Sequence, residues 1–285
     1  MTGSRFEILY EDNHLIGVVK PSGILSQSDG SGSEDMLTLL SSDIARRFGK
    51  PGKAFVGLIH RLDRNVGGAM FFAKTSKGAS RASEDMRTGN FYKGYLALAE
   101  RRICGPDEGF LRDRLKKDER QNRVFRSDEG RECILYYKYI CAVPCEAGSE
   151  RISVNGSGPS VPSERFIYFA VPVTGRSHQI RAQFSLAGAP LCGDNKYGSL
   201  SSDAARNKKG AVAASEPDIG LWSVIASVRK TVARQERIWV STLPRGGKWL
   251  LPDGTFPAAA AGFVGAPETR TLLEGLKGES FGETV

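Results

Sequence analysis

The chain has 285 residues, 40% of them hydrophobic and 25% charged, so it can bury a full core in one large domain or two small ones. Forty Lys and Arg against 32 Asp and Glu leave a net charge of +8, a surplus that favours an anionic partner such as nucleic acid. Five cysteines, odd in number and without a CxxC pair, argue against a disulfide framework or a cysteine zinc site, and no apolar run reaches membrane-spanning length.

In chain order, Phe6–Tyr10 and Leu15–Val19 are short apolar runs parted by Glu11-Asp12-Asn13-His14, which predicts a β-hairpin closed off by the turn Lys20-Pro21-Ser22-Gly23. A Ser/Gly-rich loop at Ser26–Ser33 leads into a helix over Glu34–Phe48, with Met36, Leu39, Leu40 and Ile44 on one side. The cluster His60-Arg61-Leu62-Asp63 follows an apolar approach and runs into a buried strand over Gly67–Lys74. Ser76–Thr88 reads as a helix and Phe91–Leu98 as a strand. Arg112–Arg126 carries seven Arg or Lys against three acids; it is either a solvated face or a phosphate-contacting loop. Strands are expected over Glu132–Ala142 and Arg165–Val173, with a Gly/Ser/Pro-rich surface insertion between them at Pro144–Ser163. The second polar cluster, Gly175–Arg181, opens a helix over Ser177–Ala187 with Gly188 as its stop. A loop at Ser199–Glu216 precedes strands over Leu221–Arg229 and Arg237–Ser241. The expectation is one domain over 1–257 and a weakly ordered tail over 258–285, with a short helix near Glu268–Lys277.

Asp63 is the first candidate for chemistry. A carboxylate set among apolar neighbours needs a cation and hydrogen bonds to stay ionised, and Arg61 and Arg181 can supply them. Ionised, it can act as a nucleophile at a sugar carbon. With no second acid beside it, bond exchange fits better than hydrolysis. The competing reading is an aspartate that caps the turn Arg64–Gly67. Phe91, Tyr92 and Tyr95 lie near one strand, where Tyr95 is either core or a platform on which an unstacked base can stack. His60 and His178 sit in different clusters without a nearby cysteine, so no metal site is expected.

Together these segments resemble the RluA-type pseudouridine synthases. ILYEDNHLIGVVKPSGIL resembles the family's opening strand pair, HRLDR at 60–64 its signature motif, FYKGYLALAE the strand bearing its active-site tyrosine, and TGRSHQIRAQFSLAGAPLCGDNKYG the segment bearing the arginine partner of the nucleophile. The resemblance runs from about Phe6 to Leu250. It implies an α+β fold with a long, bent, mostly antiparallel mixed sheet, flanking helices and a central cleft. It implies isomerisation of a flipped-out uridine in ribosomal or transfer RNA, with no metal or cofactor. The free thiols and an N-terminus without an apolar run point to a cytoplasmic protein away from any membrane, and a monomer is expected. By the same resemblance Asp63, Tyr95 and Arg181 are catalytic, and Arg181 pairs with Asp63. RNA contacts are expected from Lys20, His60, Arg61, Arg64, His178, Gln179 and Ile180, and from Arg114, Lys116 and Lys117 in the basic segment; the loop Arg206–Lys209 is a further candidate. Many relatives carry an N-terminal S4-type RNA-binding domain, which is not expected where the hairpin starts within about five residues of Met1. One departure stands out: where the family reads x-Thr/Val-Ser-Gly after the Asp-Arg pair, this chain has Asn65-Val66-Gly67-Gly68. A glycine there predicts a looser loop beside the nucleophile, and with it an alternative: an impaired relative that binds RNA as a chaperone or assembly factor.

Overall fold

The computed structural model describes residues 5–144, 164–198 and 218–278. The expected insertion after Pro144, the Ser199–Glu216 loop with its Arg206–Lys209 cations, and Cys145 lie outside the described residues. The chain divides into two compact units that share it alternately. Among described residues the first holds 5–94, 222–244 and 267–278, and the second holds 95–144, 164–198, 218–221 and 245–266.

In the first unit, β1 (Glu7–Glu11) and β2 (Leu15–Lys20) form the expected antiparallel hairpin. Asp12 shapes its turn, with Oδ1 accepting from His14 N and Leu15 N, each at 2.7 Å. Strand β4 (Gly67–Ala73) is buried along its whole length, as an apolar run without alternation demands. It pairs antiparallel with β2 and with the short β3 (Gly57–Leu58), and parallel with β10 (Leu221–Arg229) at Gly67↔Trp222 and Gly68↔Ser223. Strand β11 (Arg237–Ser241) is antiparallel to β10. Helix α1 (Met36–Arg47) starts at the N-cap Asp35, which accepts from Thr38 N, and buries Met36, Leu40 and Ile44. Helix α2 (Ser76–Arg87) starts at the N-cap Thr75. Phe71, Phe91, Val228, Ile238 and Val240 belong to the unit's core.

The second unit is an antiparallel sheet in which β5 (Tyr92–Ala99) pairs with β9 (Glu164–Pro172), β9 with β8 (Arg131–Pro144), β8 with β6 (Glu108–Asp118), and β6 with β7 (Arg123–Arg126). Only the first three residues of β5 fall in the other unit. Helix α3 (Gln179–Leu186) lies on β6 and β8. Its buried Gln183 donates from Nε2 to Asp113 Oδ2 at 2.9 Å and Leu111 O at 3.0 Å, satisfying polar groups that burial would otherwise leave orphaned.

The segment after Pro257, expected as a weakly ordered tail, instead forms α4 (Ala258–Gly265) and α5 (Pro267–Gly278). Helix α4 belongs to the second unit, where Phe263 meets Phe169 edge-on at 5.1 Å. Helix α5 belongs to the first and buries Thr269, Leu273 and Leu276, one turn apart along one side. The mixed sheets and flanking helices make this an α+β fold. Among described residues no helix is long and apolar enough to cross a membrane.

Candidate active site

The His60–Asp63 motif lies in an extended loop that is pinned by its backbone. Ser26 Oγ donates to Leu62 O at 2.7 Å and accepts from Leu62 N at 3.1 Å. Arg64 O accepts from Gly23 N at 2.8 Å and from Lys20 Nζ at 3.1 Å, while Arg64 Nε returns a bond to Gly23 O at 3.0 Å. Val66 N closes a turn onto Asp63 O at 3.1 Å. The loop alternates in burial as a strand would: Leu62 and Val66 point into the core, Arg61 is exposed, and Asp63 and Asn65 are half-buried. Asp63 is therefore less deeply buried than its apolar flanks suggested. A half-buried carboxylate on a pinned backbone leaves from a fixed Cα and keeps a path to a substrate.

The loop is not loosened by the glycine at 67. Gly67 is already strand, and the ring of Trp222 lies directly over it; a Cβ there would stand 2.2 Å from Trp222 Cζ3. Gly68 has φ +120°, and a Cβ on it would meet Ser223 O at 2.2 Å. Both glycines serve close approach between β4 and β10. The expectation of a slack loop is corrected accordingly.

Two residues expected to touch RNA are buried in the framework. His60 is buried, its ring 4.8 Å from that of Phe91, and Nε2 accepts from Phe71 N at 3.0 Å. That bond places the proton on Nδ1, and burial, helped by the nearby Lys93, pushes the imidazole well below its usual pKa. The ring is thus neutral and turned inward. Lys20 is fully buried, and its ammonium holds the carbonyls of Pro21 and Arg64. It braces the loop from within. Phe91 and Tyr92 are likewise packed, Phe91 in the core and Tyr92 stacked on Trp239 at 5.8 Å.

In the second unit Tyr95 is buried on β5, opposite Ala170. Arg181, also buried, makes a forked pair with the fully buried Asp194: Nε to Oδ2 at 2.7 Å and Nη2 to Oδ1 at 2.8 Å. Its guanidinium lies 5.1 Å over the Tyr197 ring. The expected pairing of Arg181 with Asp63 joins residues of different units. Asp194 is a partner that sequence reasoning missed; its only signal was the Gly193-Asp194 pair within the segment that ends in GDNKYG. His178 is held in the left-handed region at φ 51°, a conformation uncommon for a side-chain-bearing residue, and Nδ1 meets Tyr197 Oη at 2.9 Å. Gln179 and Ile180, expected to contact RNA, are both buried in the free chain; Gln179 bonds Thr174, Arg176 and Ile134.

The basic segment forms the β6–β7 hairpin. Arg114, Lys116 and Lys117 are exposed, with Lys116 paired to Glu129 and Lys117 to Glu119, and Arg114 Nε donating to Asp128 O at 2.9 Å. Arg126 is tied to the buried Asp113. A surface groove of about 360 Å³ runs beside the hairpin, lined among others by Arg123, Phe125, Arg126, Leu186 and Tyr197. Among described residues no group of three His, Cys, Asp or Glu could hold a metal, and Cys104, Cys133, Cys141 and Cys192 are free thiols.

The family described as RNA pseudouridylate synthase matches residues 14–186, which take in the pinned loop, Tyr95 and Arg181. Curated relatives named ribosomal large subunit pseudouridine synthase C include one from Rickettsia typhi, 29% identical over 67% of this chain and 56% of the relative. Another, from Haemophilus influenzae, is 32% identical over 72% of this chain and 56% of the relative. The match therefore spans little more than half the length of these relatives. Among solved structures, the human RNA pseudouridylate synthase domain containing 1 protein aligns over 97% of this chain and 96% of its own, with a TM-score of 0.65 at 17% identity. The human domain containing 4 protein aligns over 84% and 89%, with a TM-score of 0.58 at 19% identity, and these two likenesses speak for the fold.

Proposed function

The chain belongs to the RluA-type RNA pseudouridylate synthase family, and on that premise we propose that it isomerises uridine to pseudouridine in structured RNA, with Asp63 as nucleophile. The observation that carries the reading is the loop in which Leu62, Arg64 and Val66 are tied down while Asp63 stands half-buried between them. The substrate favoured by the names of the curated relatives is large-subunit ribosomal RNA, which would place the protein's work in the cytoplasm. We carry the protein as a monomer needing no cofactor.

In this reading the target uridine leaves its stack and enters the site. Asp63 breaks the N1–C1′ bond, by attack at C1′ or by assisting elimination, and the uracil departs with the bonding pair on N1. The base turns and C5 bonds C1′, releasing the Asp63 carboxylate from C1′ in the attack route, or with the proton taken from C2′ returned there in the elimination route; the proton on C5 is then lost and N1 takes one up. Tyr95 stacks on the uracil and assists that proton movement, and Arg181 keeps the carboxylate ionised. The fork to Asp194, through Nε and Nη2 of Arg181, fixes the plane of the guanidinium. Arg61 and Arg64 on the exposed side of the loop, and the cations of the β6–β7 hairpin, contact phosphate.

The alternative of an impaired RNA-binding relative drew its motive from a slack loop at Gly67, and that motive is gone now that Trp222 packs on the glycine. The test is site-resolved pseudouridine mapping of ribosomal RNA from wild-type and deletion strains, with tritium release from C5-labelled uridine by the purified protein. Asp63→Asn is expected to abolish release and to leave RNA affinity within about threefold, because only an interaction realised in the transition state is removed. Unchanged release, or free uracil as product, overturns the proposal.

A further inference from the structure

Gly67 is the position where this chain departs from its family beside the nucleophile, and it lies directly beneath another side chain. Beyond the 2.2 Å approach to Cζ3, a Cβ at Gly67 would stand 2.8 Å from both Cε3 and Cη2 of Trp222, so the six-membered ring of the indole occupies the space a side chain would need. The two residues face each other in the parallel β4–β10 register. The next residues are locked as well: Ser223 Oγ donates to Ala69 O at 2.9 Å, and Gly68 has no room for a Cβ against Ser223 O. Immediately upstream is the turn in which Val66 N bonds Asp63 O. The β10 strand thus presses on the end of the nucleophile loop through a single aromatic ring.

Resting on the reading of Asp63 as nucleophile, we infer that Trp222 is a positioning residue: its indole, seated on the bare Cα of Gly67, fixes the turn Asp63–Val66 and so the direction of the carboxylate. Glycine at 67 is the condition for that seat. The ring acts by its bulk. Trp222 Nε1 is buried and has no hydrogen-bond partner among the described residues, so the polar end of the indole does not orient it. A glycine at this place, left uncovered, would give the loop backbone freedom; covered, it lets a rigid ring approach the backbone more closely than any other residue allows. Small displacements of a reacting group lower turnover steeply while leaving binding by the rest of the substrate largely intact.

The test compares Gly67→Ser, Trp222→Ala, their double variant and Trp222→Phe. The substrate is a C5-tritiated transcript of large-subunit ribosomal RNA, with kcat and KM separated. Amide hydrogen exchange at Val66 is followed in the free proteins. Gly67→Ser, which restores the family's residue beneath the ring, and Trp222→Ala are each expected to lower kcat about tenfold or more with KM within about threefold, and to speed exchange at Val66. The double variant should recover several-fold over Gly67→Ser alone, because the added side chain then has room. Trp222→Phe should stay near wild type. Additive losses, losses confined to KM, or unchanged Val66 exchange in Trp222→Ala overturn the inference. Should Trp222→Ala fail to fold, Trp222→Leu serves in its place. A wild-type protein that forms no pseudouridine defeats the functional reading separately, and the exchange data then still decide whether Trp222 holds the turn.

Discussion

Within the four residues His60–Asp63 each side chain has a different relation to water, and that relation sets what it can do. Arg61 faces solvent, Leu62 faces the core, Asp63 lies between, and His60 is shut in as a neutral ring that accepts from Phe71 N. Unfolding lets His60 take up a proton that the folded ring refuses. The contribution of His60 is therefore complete above its usual pKa of 6.5 and is lost as pH falls below it. Stability should decline between pH 6.5 and 5 with an added slope of up to about 1.4 kcal/mol per pH unit, and His60→Gln should remove that slope. Urea unfolding at a series of pH values measures it; an identical slope in the variant would show that some other group titrates. The motif was legible as a motif, because Arg and Asp at that spacing between apolar runs need an explanation. The inward turn of His60 and Lys20 was not, since both are ordinarily polar and only the fold says which carbonyl or amide they meet. Asp194 was hidden for the same reason: thirteen residues and a turn separate it from Arg181.

The β6–β7 hairpin shows the same problem one scale up. Seven cations in fifteen residues obscured the alternation of a strand, so the segment read only as charged. In the structure the alternation is plain, with Asp113, Leu115 and Val124 inward and Arg112, Arg114 and Lys116 outward. Most of these cations have local partners, yet exposed pairs of this kind are worth only about 0.2–1 kcal/mol and can be exchanged for phosphate. Arg120 and Arg123 have no carboxylate partner among the described residues. Replacing Lys116, Lys117, Arg120 and Arg123 with Gln should therefore weaken RNA binding and reduce the slope of log K against log salt by about 0.7–0.9 for each phosphate no longer neutralised. Filter binding across a salt series reads this directly, and an unaltered slope would return the hairpin to an ordinary solvated face. Helix α3 was readable from Ile180 and Phe184. Its buried Gln179 and Gln183 service strand carbonyls, a role that helical periodicity does not reveal.

Across the whole chain, elements were more legible than their grouping. The hairpin, β4, β8, β9, β10, β11 and the first three helices lie close to where periodicity places them. The tail misled because α4 is Ala- and Gly-rich, with little contrast between its faces. Helix α5 nevertheless closes the first unit, with Leu273 fully buried and Arg270 set 5.6 Å over the Trp239 ring. Leu273→Ala should lower the unfolding free energy by about 2–5 kcal/mol, as buried leucine truncations do. A change under about 0.5 kcal/mol, typical of surface sites, would mean that the helix is not part of that core. No local pattern could announce that Gly67 and Trp222 would be neighbours, because strand pairing over such a separation depends on the complete topology.

The chain passes between its two units at 94/95, 221/222, 244/245 and 266/267. Emerging from a ribosome, residues 5–94 would carry the apolar strand β4 without β10 or β11 to cover it. An exposed strand of that kind is adhesive until its neighbours arrive. Newly made protein is thus committed to a wait that lasts until β10 and β11 have been made, during which a chaperone able to shield a bare sheet edge would decide how much of it matures.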